Sequence, residues 1–373
     1  MILFLRTSDT GIDSRLRRYI AALQQRGLPA ATLFWDRSGS AIGLPNVREF
    51  RFHGAGYFHR PIFTAAFLIL FALFAIWKLW CHRREIALVH AIDLDTAVPA
   101  LVANRLWGVP FVFDVYDHYA DSRGLSGRAA RFANWIEHCA MARAAKVILA
   151  DQARVKQHGL TDLAKLLVVE NVPMVEALPS APIRGDGPLR IGYLGTLEAR
   201  FRGIEDVLKV VEESPDLELD IAGTGVLEDL VRASAAGCSR IRYHGPLPHD
   251  AGLRLMADCD VILGLYYSDV ANHRFAAPNK YYEHLLLGRA LLTSRGTPPG
   301  DKVETDGTGW AVEDGPRSIQ AALEVATRER SLVRQAGSKA AALWQARFAG
   351  YFQRAICGDY VDAVLQYRRP ISA

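Results

Sequence analysis

Arg190-Ile-Gly-Tyr-Leu-Gly-Thr-Leu-Glu-Ala-Arg-Phe-Arg-Gly-Ile-Glu205 starts as a short apolar run, breaks at a glycine and then turns amphipathic. Apolar run, glycine turn and helix in that order make the unit of a parallel α/β sheet. The pattern predicts a strand at Arg190–Leu194 and a helix at Ile204–Glu213. Downstream it predicts strands at Leu217–Ala222, Ile241–His244, Val261–Leu265 and Ala290–Thr293, separated by helices at Val226–Ala236, Asp250–Asp258 and Asn279–Leu287. Upstream the same alternation gives strands at Ile2–Arg6, Ala31–Trp35, Ala87–His90, Phe111–Asp114 and Val147–Ala150, with helices at Asp13–Arg26 and Thr96–Leu106. Pro179-Ser-Ala-Pro-Ile-Arg-Gly-Asp-Gly-Pro188 reads as a linker between the two series. The expected fold is α/β, with two tandem Rossmann-like, doubly wound domains whose strand carboxyl ends face an interdomain cleft. The expected boundaries are 1–178 with a membrane-associating helix at 61–80, a linker at 179–188, 189–340, and C-terminal helices at 341–373 that pack back on the N-terminal domain.

Composition narrows the class. Half of the 373 residues are hydrophobic and the formal net charge is +4, too small for charge-driven nucleic-acid binding. The five cysteines are dispersed, with no metal-ligand spacing, as in a reduced cytosolic protein. The N-terminal apolar run lacks a basic n-region and reads as a first buried strand. One stretch breaks the pattern. Ile62–Trp77 is uncharged, and the segment from Phe50 to Arg84 holds five Arg/Lys and no acidic residue. As a helix, residues 62–77 would be about 24 Å long, short of a ~30 Å hydrocarbon core. The expectation is a helix dipping into one leaflet of an anionic membrane, with basic flanks and Trp77 and Trp80 at the interface; a buried helix and a true span are the alternatives.

Chemistry concentrates in Pro278-Asn-Lys-Tyr-Tyr-Glu-His-Leu-Leu-Leu-Gly288. Pro278 suits the first helical position and Gly288 the end. Lys280 then lies in the first turn, where a cation opposes the helix dipole, and Glu283 and His284 follow on the same face. An anion such as a diphosphate at that helix end rationalises the lysine, and Glu283 would accept from a ribose diol; a surface Lys–Glu pair is the plainer alternative. Gly195-Thr196, with Arg200 and Arg202 ahead of the next helix, repeats the arrangement, and Gly223-Thr-Gly225 is another tight strand-to-helix turn. The dinucleotide fingerprint G-x-G-x-x-G is absent, which argues against a dehydrogenase. Asp93-Leu-Asp95 superficially matches a metal-binding D-x-D; Asp95 is expected to cap the helix at Thr96–Leu106 instead. No metal and no cofactor are expected.

These residues resemble the GT-B glycosyltransferases, especially family 4 and its relatives in exopolysaccharide and lipid-linked oligosaccharide synthesis. The resemblance runs through Gly11-Ile-Asp13-Ser-Arg15, Tyr193-Leu-Gly-Thr, Arg202-Gly-Ile, Ala222-Gly-Thr-Gly, Tyr243-His-Gly-Pro and, most specifically, the Pro278–Gly288 run. It implies that Arg202 and Lys280 meet the donor diphosphate, Glu283 the ribose, and Tyr243-His244 the base, with Asn279 beside them. The family's first glutamate would fall at Phe275, a departure. On the acceptor side the resemblance implies Gly11, Asp13, Arg15, Asp93 and Asp114, with Asp117 or His118 near the acceptor hydroxyl; turn capping is the alternative for Asp114 and Asp117. The implied reaction is metal-independent, retaining glycosyl transfer from a nucleoside diphosphate sugar to a lipid-linked (polyprenyl-diphosphate) glycan. Its implied place is the cytoplasmic face of the inner membrane, reached through residues 61–84. A sugar-nucleotide 2-epimerase of the same fold and a non-catalytic membrane partner of another transferase are the rival readings.

Overall fold

The computed structural model describes all residues except 9, 12, 38, 40, 42, 55–60, 176–186 and 371–373, and the side chains of 61–63. Most of the expected linker, residues 179–186, therefore lies outside the described residues. The chain forms two compact units, Met1–Glu170 with Tyr351–Ala373, and Asn171–Gly350.

The first unit holds strands β1 (Ile2–Arg6), β2 (Ala30–Asp36), β3 (Arg48–His53), β4 (Leu88–Ile92), β5 (Phe111–Val115), β6 (Lys146–Leu149) and β7 (Leu166–Val168). They form one parallel sheet in the order β3-β2-β1-β4-β5-β6-β7. Its helices are α1 (Ser14–Gln25), α2 (Pro61–Cys81), α3 (Leu94–Trp107), α4 (Tyr119–Ser122), α5 (Gly127–Arg143) and α6 (Arg154–His158). The second unit holds β8 (Leu189–Leu194), β9 (Leu217–Ala222), β10 (Ile241–Tyr243), β11 (Val261–Gly264), β12 (Ala290–Ser294) and β13 (Gly309–Val312), parallel in the order β10-β9-β8-β11-β12-β13. Around it lie α7 (Ile204–Glu213), α8 (Glu228–Gly237), α9 (His249–Ala257), α10 (Asn279–Leu287), α11 (Pro298–Asp306), α12 (Pro316–Arg328) and α13 (Arg330–Leu343). α14 (Val361–Tyr367) returns to the first unit. In each sheet the order reverses beside the first strand of the unit, so the strand carboxyl ends there diverge into a crevice, the usual ligand position of open α/β sheets.

Strands buried on both faces explain the continuous apolar runs: β4 and β5 are buried at every residue. Three strands escaped the sequence reading. β3 is an edge strand with Arg48, Glu49 and Arg51 in it; β7 has three residues; β13 has four and begins at a glycine.

The apolar segment lies in a helix, α2, that runs beyond its uncharged stretch at both ends. α2 has 21 residues, about 31 Å at 1.5 Å per residue. By length and composition Thr64–Cys81 could cross a membrane, with a mean hydropathy of 2.0. One face is nevertheless committed to the unit's own core. Phe71, Ala75 and Leu79, spaced by four, are fully buried, and the Trp35 ring stacks on Phe67 and Phe71. On the opposite face Ile69, Leu70, Leu73, Trp77 and Trp80 are about half exposed or more.

Candidate functional site

The donor-side residues sit on the loops that leave β8 and β9. Gly195 and Gly223 have φ of 147° and 146°, values open to glycine. The loops run side by side, with Gly195 N donating to Ala222 O (3.0 Å), Leu197 N to Thr224 O (2.8 Å) and Gly223 N to Gly245 O (2.9 Å). A Cβ on Gly223 would run into the Gly195 carbonyl, and one on Gly225 into the Leu197 carbonyl. The glycines are required by this backbone contact, whatever else they serve.

Lys280 reaches into the same turn. Pro278 is the N-cap of α10, so Asn279 is its first residue and Lys280 its second; no acidic residue lies in the first turn and no side chain caps it. The Lys280 Nζ lies 4.5 Å from the centre of the Tyr193 ring and 2.8 Å from where a Gly195 Cβ would be. No carboxylate pairs with it among the described residues. Burial, and then the nearby Arg202 charge, push its pKa down to about 8. Arg202 lies over the Tyr266 ring at 4.5 Å, and its Nε donates to Glu198 at 2.6 Å. It precedes the α7 N-cap Gly203, whose helix carries Glu205 and Asp206 in its first turn. Arg202 is therefore already compensated, whereas Lys280 is not. Arg200 is exposed with φ 69°, and its backbone N–H donates to Glu205 (2.8 Å). Thr196 and Asn279 are exposed.

Glu283 is buried, and its Oε1 accepts from His249 Nε2 at 3.0 Å. The pair with Lys280 considered from sequence does not form. His249, which the sequence reading passed over, is raised in pKa by that hydrogen bond. His284 does not share the site: it is fully buried, with Nδ1 2.8 Å from Arg289 O, and burial pushes it down to about 4. The Tyr243 hydroxyl donates to Gly223 O (2.8 Å), and His244 Nε2 lies 2.7 Å from Asp220, a fully buried carboxylate also bound by Arg190 and Arg242.

In the first unit several acceptor-side expectations need correction. Arg15 and Asp114 are both buried and bind each other through two hydrogen bonds, at 3.1 and 2.8 Å; Arg15 also donates to Val169 O. Their charges are spent on the frame, and Arg15 holds Asp114 down to about 2 despite burial. Asp13 caps α1, accepting from Arg15 N and Leu16 N, and accepts the Tyr116 hydroxyl; Gly11 lies in the preceding bend. Asp93, not Asp95, occupies the N-cap position of α3, with φ 63° and no side-chain cap. Its carboxylate instead accepts from Arg6 (2.5 Å) and Tyr116 N (3.0 Å), and burial raises it to about 6. Asp95, within the first turn, binds the Tyr119 hydroxyl and Arg123. The Asp93 and Asp95 carboxylates thus serve different partners.

Asp117 is the outward member of this group, with a half-exposed carboxylate 3.2 Å from Arg154. His118 is buried; its Nδ1 lies 2.8 Å from Asp121 and its Nε2 3.9 Å from Glu137. Both ring nitrogens thus face carboxylates of the same unit, Asp121 and Glu137.

Comparison with known proteins agrees with this architecture. Residues 10–159 match the family model described as glycosyl transferase 4-like domain. Among solved structures, the chain is similar to Anabaena HepE in complex with UDP, with a TM-score of 0.72 and 15% identity over 98% of this chain and 99% of that one. It is similar to sucrose-phosphate synthase from Thermosynechococcus elongatus, with a TM-score of 0.76 and 15% identity over 98% of both chains. It is also similar to WaaG, a glycosyltransferase involved in lipopolysaccharide biosynthesis, with a TM-score of 0.68 and 13% identity over 96% and 98%. No curated protein matches in sequence. The fold is GT-B. The match to the glycosyl transferase 4-like domain model lies within the N-terminal unit.

Proposed function

We propose that this protein transfers a glycosyl group from a nucleoside diphosphate sugar to a hydroxyl of a polyprenyl-diphosphate-linked glycan, working on the cytoplasmic face of the inner membrane in cell-surface polysaccharide synthesis. One observation carries the donor half: Lys280, at an α10 N-terminus with no acid in its first turn, has no carboxylate partner among the described residues and lies against the bare backbone of Gly195. A helix N-terminus, glycine-freed backbone and an uncompensated cation together favour a diphosphate. As the glycosidic bond breaks, charge grows on the leaving diphosphate, and Lys280 and Arg202 would stabilise it without reorganising. Glu283, held by His249, would take the ribose hydroxyls. HepE, with its complexes of UDP and of UDP-glucose, makes uridine nucleotides the first donors to try.

The membrane half rests on α2, whose outer face is apolar and flanked by Lys78, Arg83 and Arg84. A helix lying in the headgroup region with its inner face packed on the sheet fits both faces. The same feature favours a transferase with a lipid acceptor over a soluble sugar-nucleotide epimerase. On the acceptor side Asp117, half exposed, is the carboxylate best able to meet a hydroxyl. The deciding experiment incubates the protein with a panel of nucleotide sugars and follows nucleoside diphosphate release with and without a polyprenyl-linked glycan in vesicles. Release that depends on the lipid acceptor is the expected result. Acceptor-independent interconversion of the sugar, or no turnover of any donor, would overturn the reading.

A further inference from the structure

Glu137, on the inner face of α5, is 1% exposed, a burial that a lone carboxylate tolerates poorly. Two imidazoles converge on it from other elements. His158, the last residue of α6, is 2% exposed, with Nδ1 2.8 Å from Glu137 Oε1; His118, at the N-cap of α4, is 8% exposed, with Nε2 3.9 Å from the same oxygen. One ligand atom from each of the three lies within 4.8 Å of the others. The rings stand 5.2 Å apart at 69°, so they meet edge to face rather than stacking.

We propose that His118, Glu137 and His158 form a binding site for a divalent cation of borderline softness, Zn²⁺ in the first instance. Two imidazoles and a carboxylate make a common three-residue zinc set. In a tetrahedral site with bonds of about 2.0–2.1 Å, neighbouring ligand atoms stand about 3.3 Å apart. The 2.8 and 3.9 Å separations from Glu137 bracket that value, and each differs from it by about half an ångström. A second ring of partners is present. Asp121 lies 2.8 Å from His118 Nδ1, at ion-pair distance though the ring is not aligned for a hydrogen bond, and Gln157 Nε2 donates to Asp121 at 3.2 Å. A carboxylate behind a histidine is the usual support of a metal-ligating imidazole. His158 Nε2 is buried with no hydrogen-bond partner among the described residues. The ligands come from the β5–α4 turn, α5 and α6, so the cation would pin the turn that carries Asp117. It would act as a structural clamp within the first unit, whereas Lys280 belongs to the second.

The full-length protein, stripped with chelator, would be titrated with Zn²⁺ by calorimetry, and with Co²⁺ while recording the visible absorption of a tetrahedral N/O site. One ion per chain, a cobalt band, and a melting temperature raised by several degrees are expected. His158→Gln and Glu137→Gln should each weaken Zn²⁺ binding by a hundredfold or more while keeping the near- and far-ultraviolet circular dichroism of the metal-free wild type, which shows that they fold. Wild-type protein that binds neither ion above background overturns the proposal. So does undiminished binding in both folded variants, which would place the ion elsewhere. Should neither variant fold, the wild-type cobalt spectrum decides: its absence refutes the site. Zinc binding can be present or absent whatever the outcome of the donor panel.

Discussion

The ammonium of Lys280 sits 2.8 Å from the point that a Cβ of residue 195 would occupy, and residue 195 is a glycine with φ 147°. The two residues come from helix α10 and the β8 turn, and the missing side chain of one makes room for the charge of the other. Gly195→Ala would be strained in its backbone and would displace the amine. We expect it to weaken nucleoside diphosphate binding, as Lys280→Ala does, and also to lower the melting temperature, as Lys280→Ala does not. The lysine variant alone should lose roughly ten- to hundredfold in affinity, the cost of one charge-assisted hydrogen bond. Calorimetry with the cognate nucleoside diphosphate measures both; wild-type affinity in Lys280→Ala removes the site.

Proton linkage offers an independent check on the same lysine. Its folded pKa, about 8, lies below that of the unfolded chain, so the charged amine costs stability at neutral pH. That cost is relieved as pH rises from about 8 towards about 10.4. A bound diphosphate restores the charge and raises the pKa. Binding near pH 8.5 should therefore take up a proton, seen as a dependence of the apparent enthalpy on buffer ionisation heat. Lys280→Met should abolish that dependence.

Glu283→Gln separates ribose from phosphate. It should weaken nucleoside diphosphates while leaving inorganic diphosphate binding nearly intact. Because the Glu283 hydrogen bond raises His249, the same variant should also lower the His249 pKa towards about 6.5, measurable by NMR titration. An unchanged histidine titration would show that the two side chains do not interact in solution.

Membrane attachment is tested on the exposed face of α2, at Leu70 and Leu73. Aspartates there should release the protein from anionic liposomes in a sedimentation assay, without loss of fold, since little packing is removed. Phe71→Asp is the contrasting variant: its side chain is fully buried, so a charge there should unfold the unit whether or not membrane is present. Undiminished pelleting of the folded Leu70/Leu73 double variant would exclude this face.

The Arg15–Asp114 pair is a stability feature. Asp114→Ala removes the buried carboxylate that Arg15 meets through two hydrogen bonds and should cost about 3–5 kcal/mol. The Asp114 pKa is depressed to about 2, so its contribution is present above the unfolded value near 3.9 and is lost as pH falls towards about 2. Acid unfolding of wild type should steepen below about pH 4, and the variant should lack that component in a pH series of melting curves.

Local order made much of this protein legible in the sequence. Buried parallel strands need unbroken apolar runs, and their turns need glycine, so β8 to β12, their helices and the Gly195 and Gly223 turns could be read directly. The anomaly of a lysine in the first turn of α10 was legible for the same reason: dipole and charge lie within a few residues. What tertiary structure decided is which charges remain to be used. Arg15 meets Asp114 across 99 positions and His249 meets Glu283 across 34, and no local pattern announces either pairing. Folding engaged Arg15, Asp114 and Asp13 within the first unit and left Lys280 without a carboxylate partner among the described residues. It also turned one side of α2 inward and the other outward, a division invisible in a segment apolar all round. Sequence periodicity reports what neighbours along the chain share, whereas burial and charge compensation depend on atoms that only the folded chain brings within a few ångströms.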